Sequence, residues 1–572
     1  MLNRVSLPCG AVCLCLALVG AGPVVDHRET PDDPWIGRST ARSAARNFVY
    51  AGSSIVQVNL DDNGNNILND AGNEPSIAVD PTASNRMAIG WRQFDNIASN
   101  FRQAGYSFSS DGGRTWAGMG IIDPGLFRSD PVLQAGPDGT FYYSSLRVSP
   151  SWIVDIIVST DWGASWPVSH FAFGGDKQWL AIDSTGGPGD GHFYQGWNVA
   201  GNDHFPAQFS RAVDSGVTWE TPVEYDPISS IAFPVFGLTT VGPGGVVYVA
   251  GTINNGANDV FWVVGSSNAQ NAAQTPTFNI ITTVDMGGNL VLGAGPNPSG
   301  LLGQVNIAAD HSGGPNHGNL YVLGSINPQG PDPLDIHFVV SEDGGQSFSN
   351  PVRVNDDPAN TNAWQWFGQM SVAPDGRIDV IWNDTRNSGQ DNISELFYSS
   401  SSDGGQTWSP NVAISPSFDS HVGWPQQNKL GDYYELHSDL VGAHLAWAAT
   451  FNGEQDVYYL RIGDYDCNGN GVGDADDLAN MTSDDCNAND IPDECEIAAG
   501  TVADENNNGV IDTCEALDCP WDCDDFDGAV GINDFLALLA QWGQVGSSCD
   551  FGVPGVDIVD FLKLLANWGP CP

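Results

Sequence analysis

The chain has 572 residues, enough for a large core with accessory modules. It carries 19 Lys and Arg against 69 Asp and Glu, a formal net charge of −50. Phosphate backbones are bound through Lys and Arg, so this balance excludes nucleic acid as a natural partner and suits a solvated surface or cation binding.

The N-terminus carries Arg4, then an apolar stretch from Ala11 to Val19, then the small residues Gly20 and Ala21. These are the parts of a secretory signal peptide, placed here over 1–22. Its apolar core is too short to span a bilayer, and no later window offers about 18 uninterrupted apolar residues. A secreted, extracellular or cell-surface protein without a membrane span is expected. Residues 23–52 read as a linker.

From 53 to 462 the sequence consists of short alternating apolar strands separated by Gly, Pro, Asn and Asp, such as Pro75-Ser76-Ile77-Ala78-Val79 and Gly139-Thr140-Phe141-Tyr142-Tyr143. No long stretch has a helical period, so the region is all-β. A motif, Ser/Thr-x-Asp-x-Gly-x-Thr/Ser-aromatic, recurs at 109–116, 159–166, 341–348 and 401–408. An imperfect copy runs from Asp214 to Trp219, with Ala212 in place of the first hydroxyl, and a decayed one lies between Ser267 and Phe278. Within each copy the Asp accepts turn N–H groups, the Gly takes positive φ and the aromatic tucks between sheets. The repeat resembles the Asp-box (BNR) repeat of sialidases and other propeller proteins. That resemblance implies a β-propeller in which the boxes join outer strands, away from any active site. Units starting near Glu74, Asp130, Lys177, Phe233, Gln304, Gln365 and Asn428 give seven blades, with six as the alternative because sialidases have six. The last unit has no box, and residues 55–59 are expected to supply its missing outer strand and close the ring.

Sialidases use a Tyr nucleophile with a Glu, an acid/base Asp and three Arg residues that clamp a carboxylate. The family's early aromatic-Arg-Ile-Pro run is absent; Trp91-Arg92-Gln93-Phe94 lacks the proline. Arg92, Arg147, Asp384, Arg386, Tyr433 and Glu435 are the catalytic candidates. For Tyr433 the favoured reading is a packed inner-strand residue, and for Asp384 with Arg386 a local pair at a strand end. Asp176-Lys177-Gln178-Trp179 resembles the innermost-strand starts of uncharacterised relatives of sialidases. None of the ten His forms a zinc pattern with a Glu, and no nucleophile elbow, phosphate loop or dinucleotide fingerprint occurs. The expected function is extracellular ligand binding, to glycans or surface proteins; the alternative is a sialidase-like exo-glycoside hydrolase.

The tail changes character. Between Leu16 and Asp466 there is no Cys, whereas Cys467, Cys486, Cys495, Cys514, Cys519, Cys523, Cys549 and Cys571 follow, as expected of disulfides in an exported, poorly apolar segment. Over 463–516, oxygen side chains fall at loop positions 1, 3, 5, 9 and 12 in three copies. They are Asp466, Asn468, Asn470, Asp474 and Asp477; Asp485, Asn487, Asn489, Asp493 and Glu496; and Asp504, Asn506, Asn508, Asp512 and Glu515. Hard oxygen donors at this spacing, with Gly471 at the sharp turn, suit Ca²⁺, while Asp490 replaces that glycine in the second copy. These loops resemble EF-hand or thrombospondin type 3 repeats. One pairing would follow the repeat interval, Cys467 with Cys486 and Cys495 with Cys514, although connectivity is open.

Over 517–572, Asn533–Gly543 matches Val559–Gly569, each a short amphipathic helix closed by Gly. This duplication resembles a dockerin, which implies a cohesin-like or envelope docking partner. Its loops depart from the calcium pattern: Cys523 falls at the first ligand position of one, and Val553 and Pro554 at positions 5 and 6 of the other, with Asp525, Asp527, Asp550 and Asp557 nearby. A two-helix module held by disulfides is expected, without full-strength calcium sites.

Overall fold

Short turns leave each strand no room to cross over, so consecutive strands pair antiparallel with their sequence neighbours. The structure, a computed structural model, describes residues 33–148, 152–198, 204–225, 237–254, 259–359, 361–505, 507–515, 521–523, 529–552 and 554–570. The segment 1–22, the blade start at Phe233, Asn506, Cys519, Cys571, Val553, Asp525 and Asp527 lie outside them.

The sheets form seven blades. Their innermost strands are Ala71–Val79, Ser129–Ala135, Trp179–Ile182, Thr239–Val241, Asn306–Ala309, Gln365–Val372 and Glu435–Ser438. Blade three is completed at its outer edge by single bridges from Ala212 to Trp219 and from Phe209 to Val223. Blade seven is closed from the N-terminus: Ser53–Gln57 pairs with Asp456–Gly463, setting Ile55 opposite Leu460 and Gln57 opposite Tyr458. The ring is thus seven-bladed rather than six-bladed, and the first and last blades share no free edge.

The recurring turns join the third strand of a blade to the fourth. In the first, Ser109 Oγ donates to Asp111 at 2.7 Å and accepts from Gly113 N at 2.9 Å, while Asp111 accepts Thr115 N at 2.9 Å. Copies at Asp161, Asp343 and Asp403 repeat the set. At Asp214 only the contact from Thr218 N, 2.8 Å, survives among the described bonds, since Ala212 has no hydroxyl to offer. In blade four Asn268 stands in for the Asp, accepting from Ser266 Oγ at 3.0 Å and Thr277 N at 2.9 Å across a longer loop.

The turn aromatics tie each blade to the preceding one. Trp116 packs at 5.4 Å from Tyr459, Trp166 at 6.0 Å from Tyr106 and Trp408 at 5.2 Å from Phe338. Gly113 has φ +86°, and a Cβ there would overlap the Tyr459 ring. Glycine is required twice over at that position, by backbone and by neighbour.

Among the described residues the helices all follow the propeller: α1 Asp474–Asn480, α2 Asp493–Ala499, α3 Asp512–Glu515, α4 Ile532–Ala540 and α5 Ile558–Ala566. None is long and apolar enough to cross a membrane. Disulfides join Cys467 to Cys495, Cys486 to Cys514 and Cys523 to Cys549. The pairing that follows the repeat interval is therefore not the one formed. Each loop's second residue reaches the helix of the following copy, closing a sequence separation of 28 residues, so the bond staples one copy to the next. Closing a loop of that length stabilises by about 3–4 kcal/mol in the chain-entropy description. Helices α4 and α5 pack around Leu538, Leu564, Val530, Val556 and the Cys523–Cys549 bridge.

Candidate functional site

In blades one to three a charged residue in or just before the inner strand takes the left-handed region: Glu74 at φ 51°, Asp130 at 48° and Lys177 at 54°. Non-glycine residues rarely adopt this conformation. It turns these side chains toward one another around the channel. Arg92 Nη2 lies 3.0 Å from Glu74, and Lys177 Nζ lies 2.9 Å from Asp432 and 3.4 Å from Asp130. Lys429 Nζ completes the circuit, 2.7 Å from Asp432 and 3.7 Å from Glu74. All six residues are buried.

Three carboxylates thus face three cations. Burial pushes the Glu74 carboxyl up against the pull of Arg92 and Lys177. Burial alone would lower Lys177, but Asp130, Asp432 and Glu74 outweigh it and hold the ammonium protonated. Such a network gains little over an apolar core, yet removing one member leaves an uncompensated buried charge, at a cost of about 3–5 kcal/mol.

Beneath this network the channel is filled. The Trp179 and Tyr433 rings meet at 5.1 Å, Trp179 Nε1 donates to Gln304 Oε1 at 2.9 Å, and Tyr433 donates its hydroxyl proton to Pro131 O at 2.9 Å. The cavity they share with Phe367 and Gln369 has a volume of about 10 Å³, room for about one water.

The catalytic candidates do not converge. Arg92 belongs to the channel network, Arg147 pairs with Asp155 at 2.5 Å within blade two, and Arg386 pairs with Asp384 at 2.8 Å and Asp356 at 2.7 Å in the sixth-blade region. Tyr433 is a packed inner-strand residue. Glu435 accepts from Ser76 Oγ and from Ile77 N, binding blade seven to blade one. Burial pushes its carboxyl up to about 7 against those two hydrogen bonds. The sequence marks Glu74 and Asp130 only as unit starts, while Lys177 falls in the Asp176–Trp179 segment, whose polar and aromatic residues suit either a sugar-binding face or a filled channel. The usable signal was the acid–proline step at two of them, Glu74-Pro75 and Asp130-Pro131.

The tail loops repeat one hydrogen-bond plan. The position-1 carboxylates of Asp466, Asp485 and Asp504 each accept two turn N–H groups. The position-9 carboxylates of Asp474, Asp493 and Asp512 accept the N–H of each loop's second residue. Asn468 and Asn470 direct their amides at Asp477, and Asn487 and Asn489 direct theirs at Glu496. Asp490 takes φ 64° where Gly471 and Gly509 take 82° and 86°, a conformation Asp tolerates better than most residues. In each of the first two loops the position-3 and position-5 amides are thus hydrogen-bonded to the position-12 carboxylate, while the position-1 carboxylate caps the turn. A donor set of carboxylates and amides fits a hard divalent cation. In the two-helix module the position-12 equivalents, Asp534 and Asp560, are instead occupied by backbone N–H groups of Cys523 and Gly531, and of Phe551 and Asp557.

No protein-family model matches the sequence, and no curated protein matches it. Solved structures do. A protein of unknown function from Dyadobacter fermentans DSM 18053 shares 13% identity at TM-score 0.41, over 73% of this chain and 99% of that one. The endosialidase of phage phi92 shares 10% identity at TM-score 0.43, over 72% and 69%. A Trypanosoma rangeli sialidase in complex with the inhibitor DANA shares 12% identity at TM-score 0.36, over 74% and 59%. The blade count rests on the sheets of this chain.

Proposed function

We propose that this is a secreted recognition protein whose propeller binds extracellular glycans, with surface proteins as the competing ligand class, and whose calcium-binding tail tethers or spaces it. The observation that carries the reading is the separation of the guanidiniums. A carboxylate clamp needs Arg92, Arg147 and Arg386 around one mouth, and each is held by carboxylates in its own surroundings.

The proposed organisation is a signal peptide over 1–22, a linker over 23–52, an Asp-box propeller over 53–462, calcium loops over 463–516 and a dockerin-like module over 517–572. Three disulfides and the single cation, Lys563, of the acidic tail suit an oxidising, calcium-containing exterior. The module carries a duplicated exposed apolar stripe: Ile532, Leu536, Leu539 and Trp542 on α4 and its end, matched by Ile558, Leu562, Leu565 and Trp568. Those faces support a cohesin-like or envelope docking partner.

The deciding experiment is a panel of fluorogenic glycosides, with and without chelator, beside a glycan-binding array. Array binding without turnover is expected. Release of fluorophore from a sialoside would instead establish the sialidase-like exo-glycoside hydrolase.

A further inference from the structure

Where the inner strands end, on the far side from the charged network, the channel opens into a chamber of about 1,040 Å³. The finishing residues of several inner strands form its wall, Val79, Ala135 and Ser438 among them, and Asp466 and Glu494 of the first two tail loops also line it.

We infer that this chamber binds an uncharged saccharide. The inference rests on the reading of the propeller as a glycan binder and adds the place and the class of glycan.

Size comes first: ligand pockets run to about 1,000 Å³, enough to enclose a short oligosaccharide. Charge then sets the sign. Five carboxylates line the space, those of Asp80, Glu435, Asp439, Asp466 and Glu494, against the single guanidinium of Arg86. A field of that sign repels anionic sugars. Nor is this a bare acidic cluster seeking a cation: Asp466 belongs to the first calcium-type loop, and each of the other four carboxylates already has a partner. Asp80 accepts from Thr82, Asp439 from Arg461, Asp466 from Asn470 N, Glu494 from Ser483 Oγ and Glu435 from Ser76. What they retain is spare lone pairs, and sugar hydroxyls donate to lone pairs.

A second observation points the same way. Ser438, in the wall, is only 5% exposed, and its Oγ has no hydrogen-bond partner in the protein. A buried hydroxyl left unpaired calls for a ligand or a water to satisfy it. Beside it the His437 ring is accessible. Ile77, Leu133 and Leu440 add apolar wall suited to the C–H faces of a pyranose.

The test uses the full chain and calorimetric titration with uncharged di- to tetrasaccharides of gluco, galacto, manno and xylo configuration, with 3′-sialyllactose as the anionic arm. Two variants fill the chamber from opposite sides, Ala135→Trp from an inner-strand end and Ala498→Trp from the exposed face of α2. If one disturbs folding, the other still reports. At least one uncharged sugar should bind, and both fillings should weaken it tenfold or more without lowering the melting temperature of Ala498→Trp. Ser438→Ala should weaken it about threefold. An uncharged sugar whose affinity survives both fillings overturns the chamber and leaves glycan binding intact. Binding of sialyllactose alone overturns the uncharged class. Binding of no saccharide removes the glycan reading itself.

Discussion

The guanidinium of Arg114, on the first Asp-Gly turn, lies 2.8 Å from the carboxylate of Asp474 and 3.9 Å above the ring of Tyr465. One residue of the propeller's edge thereby touches both the last turn out of blade seven and the first helix of the tail. Ser84 Oγ adds a hydrogen bond to Asp466 O at 2.9 Å. The first tail loop is docked on the propeller by these contacts.

Replacing Arg114 with Ala should loosen that dock without unfolding either part. The ion pair is partly exposed and the ring contact adds to it, so the loss is on the order of 1 kcal/mol. Hydrogen exchange should show faster exchange across 464–480, with protection in blades two to six unchanged. Equal exchange in wild type and variant would mean that Arg114 does not hold the tail.

The repeated turns make a graded prediction. Asp403 accepts from Ser401 Oγ, Thr407 N and Thr407 Oγ1, whereas Asp214 has Thr218 N alone among the described contacts. Asp403→Ala should cost about 1–3 kcal/mol in urea unfolding, and Asp214→Ala well under 1 kcal/mol. Hydrogen bonding from Thr407 and Ser401 also holds the Asp403 carboxyl below its ordinary range, against burial. That contribution is present above the ordinary carboxylate pKa and fades as pH falls through the lowered one. The Asp403→Ala deficit should therefore shrink in acid.

These turns also show what was legible in the sequence. Ser, Asp, Gly and Thr at fixed offsets describe a local hydrogen-bond set, so four copies could be read without tertiary information. Blade four was harder, because Asn268 replaces the Asp and Thr277 sits farther along the chain. The channel network was hidden for a different reason. Glu74, Lys177 and Lys429 are distant in sequence and meet only because the ring closes. Disulfide connectivity was equally out of reach: spacing fits either pairing, and only the stacking of one loop on the next helix selects Cys467 with Cys495.

Glu435 supplies a pH test. Its folded carboxyl, pushed up to about 7 by burial, exceeds the unfolded value of 4.5. The folded state therefore binds the extra proton between those values. Stability from this group is full below pH 4.5 and is lost as pH rises toward 7, by on the order of 3 kcal/mol. Glu435→Gln keeps an acceptor for Ser76 and Ile77 but removes the charge. The variant should gain on wild type as pH rises from 4.5 to 8 in paired urea titrations. A pH-independent difference would show that the carboxyl titrates normally.

Calcium removal reaches furthest into the proposed function. From Gly463 onward Lys563 is the one basic residue, so the loop carboxylates have no protein cation of their own except where Arg114 reaches Asp474. Side-chain amides and backbone N–H groups hold them together, and a divalent cation would cancel the repulsion at each loop. At about 1 mM calcium and dissociation constants of about 0.1–1 mM, each loaded loop gains about 0.4–1.4 kcal/mol. The disulfides remain when the metal leaves, so chelation should loosen α1 and α2 rather than unfold them. Exchange across 474–499 should accelerate several-fold with chelator and return on adding calcium, while the propeller stays unchanged. Asp466→Ala should remove the response of α1 and spare that of α2, whose loop relies on Asp485 and Glu496. Exchange that ignores both chelator and calcium would leave these carboxylates as turn-capping groups and nothing more.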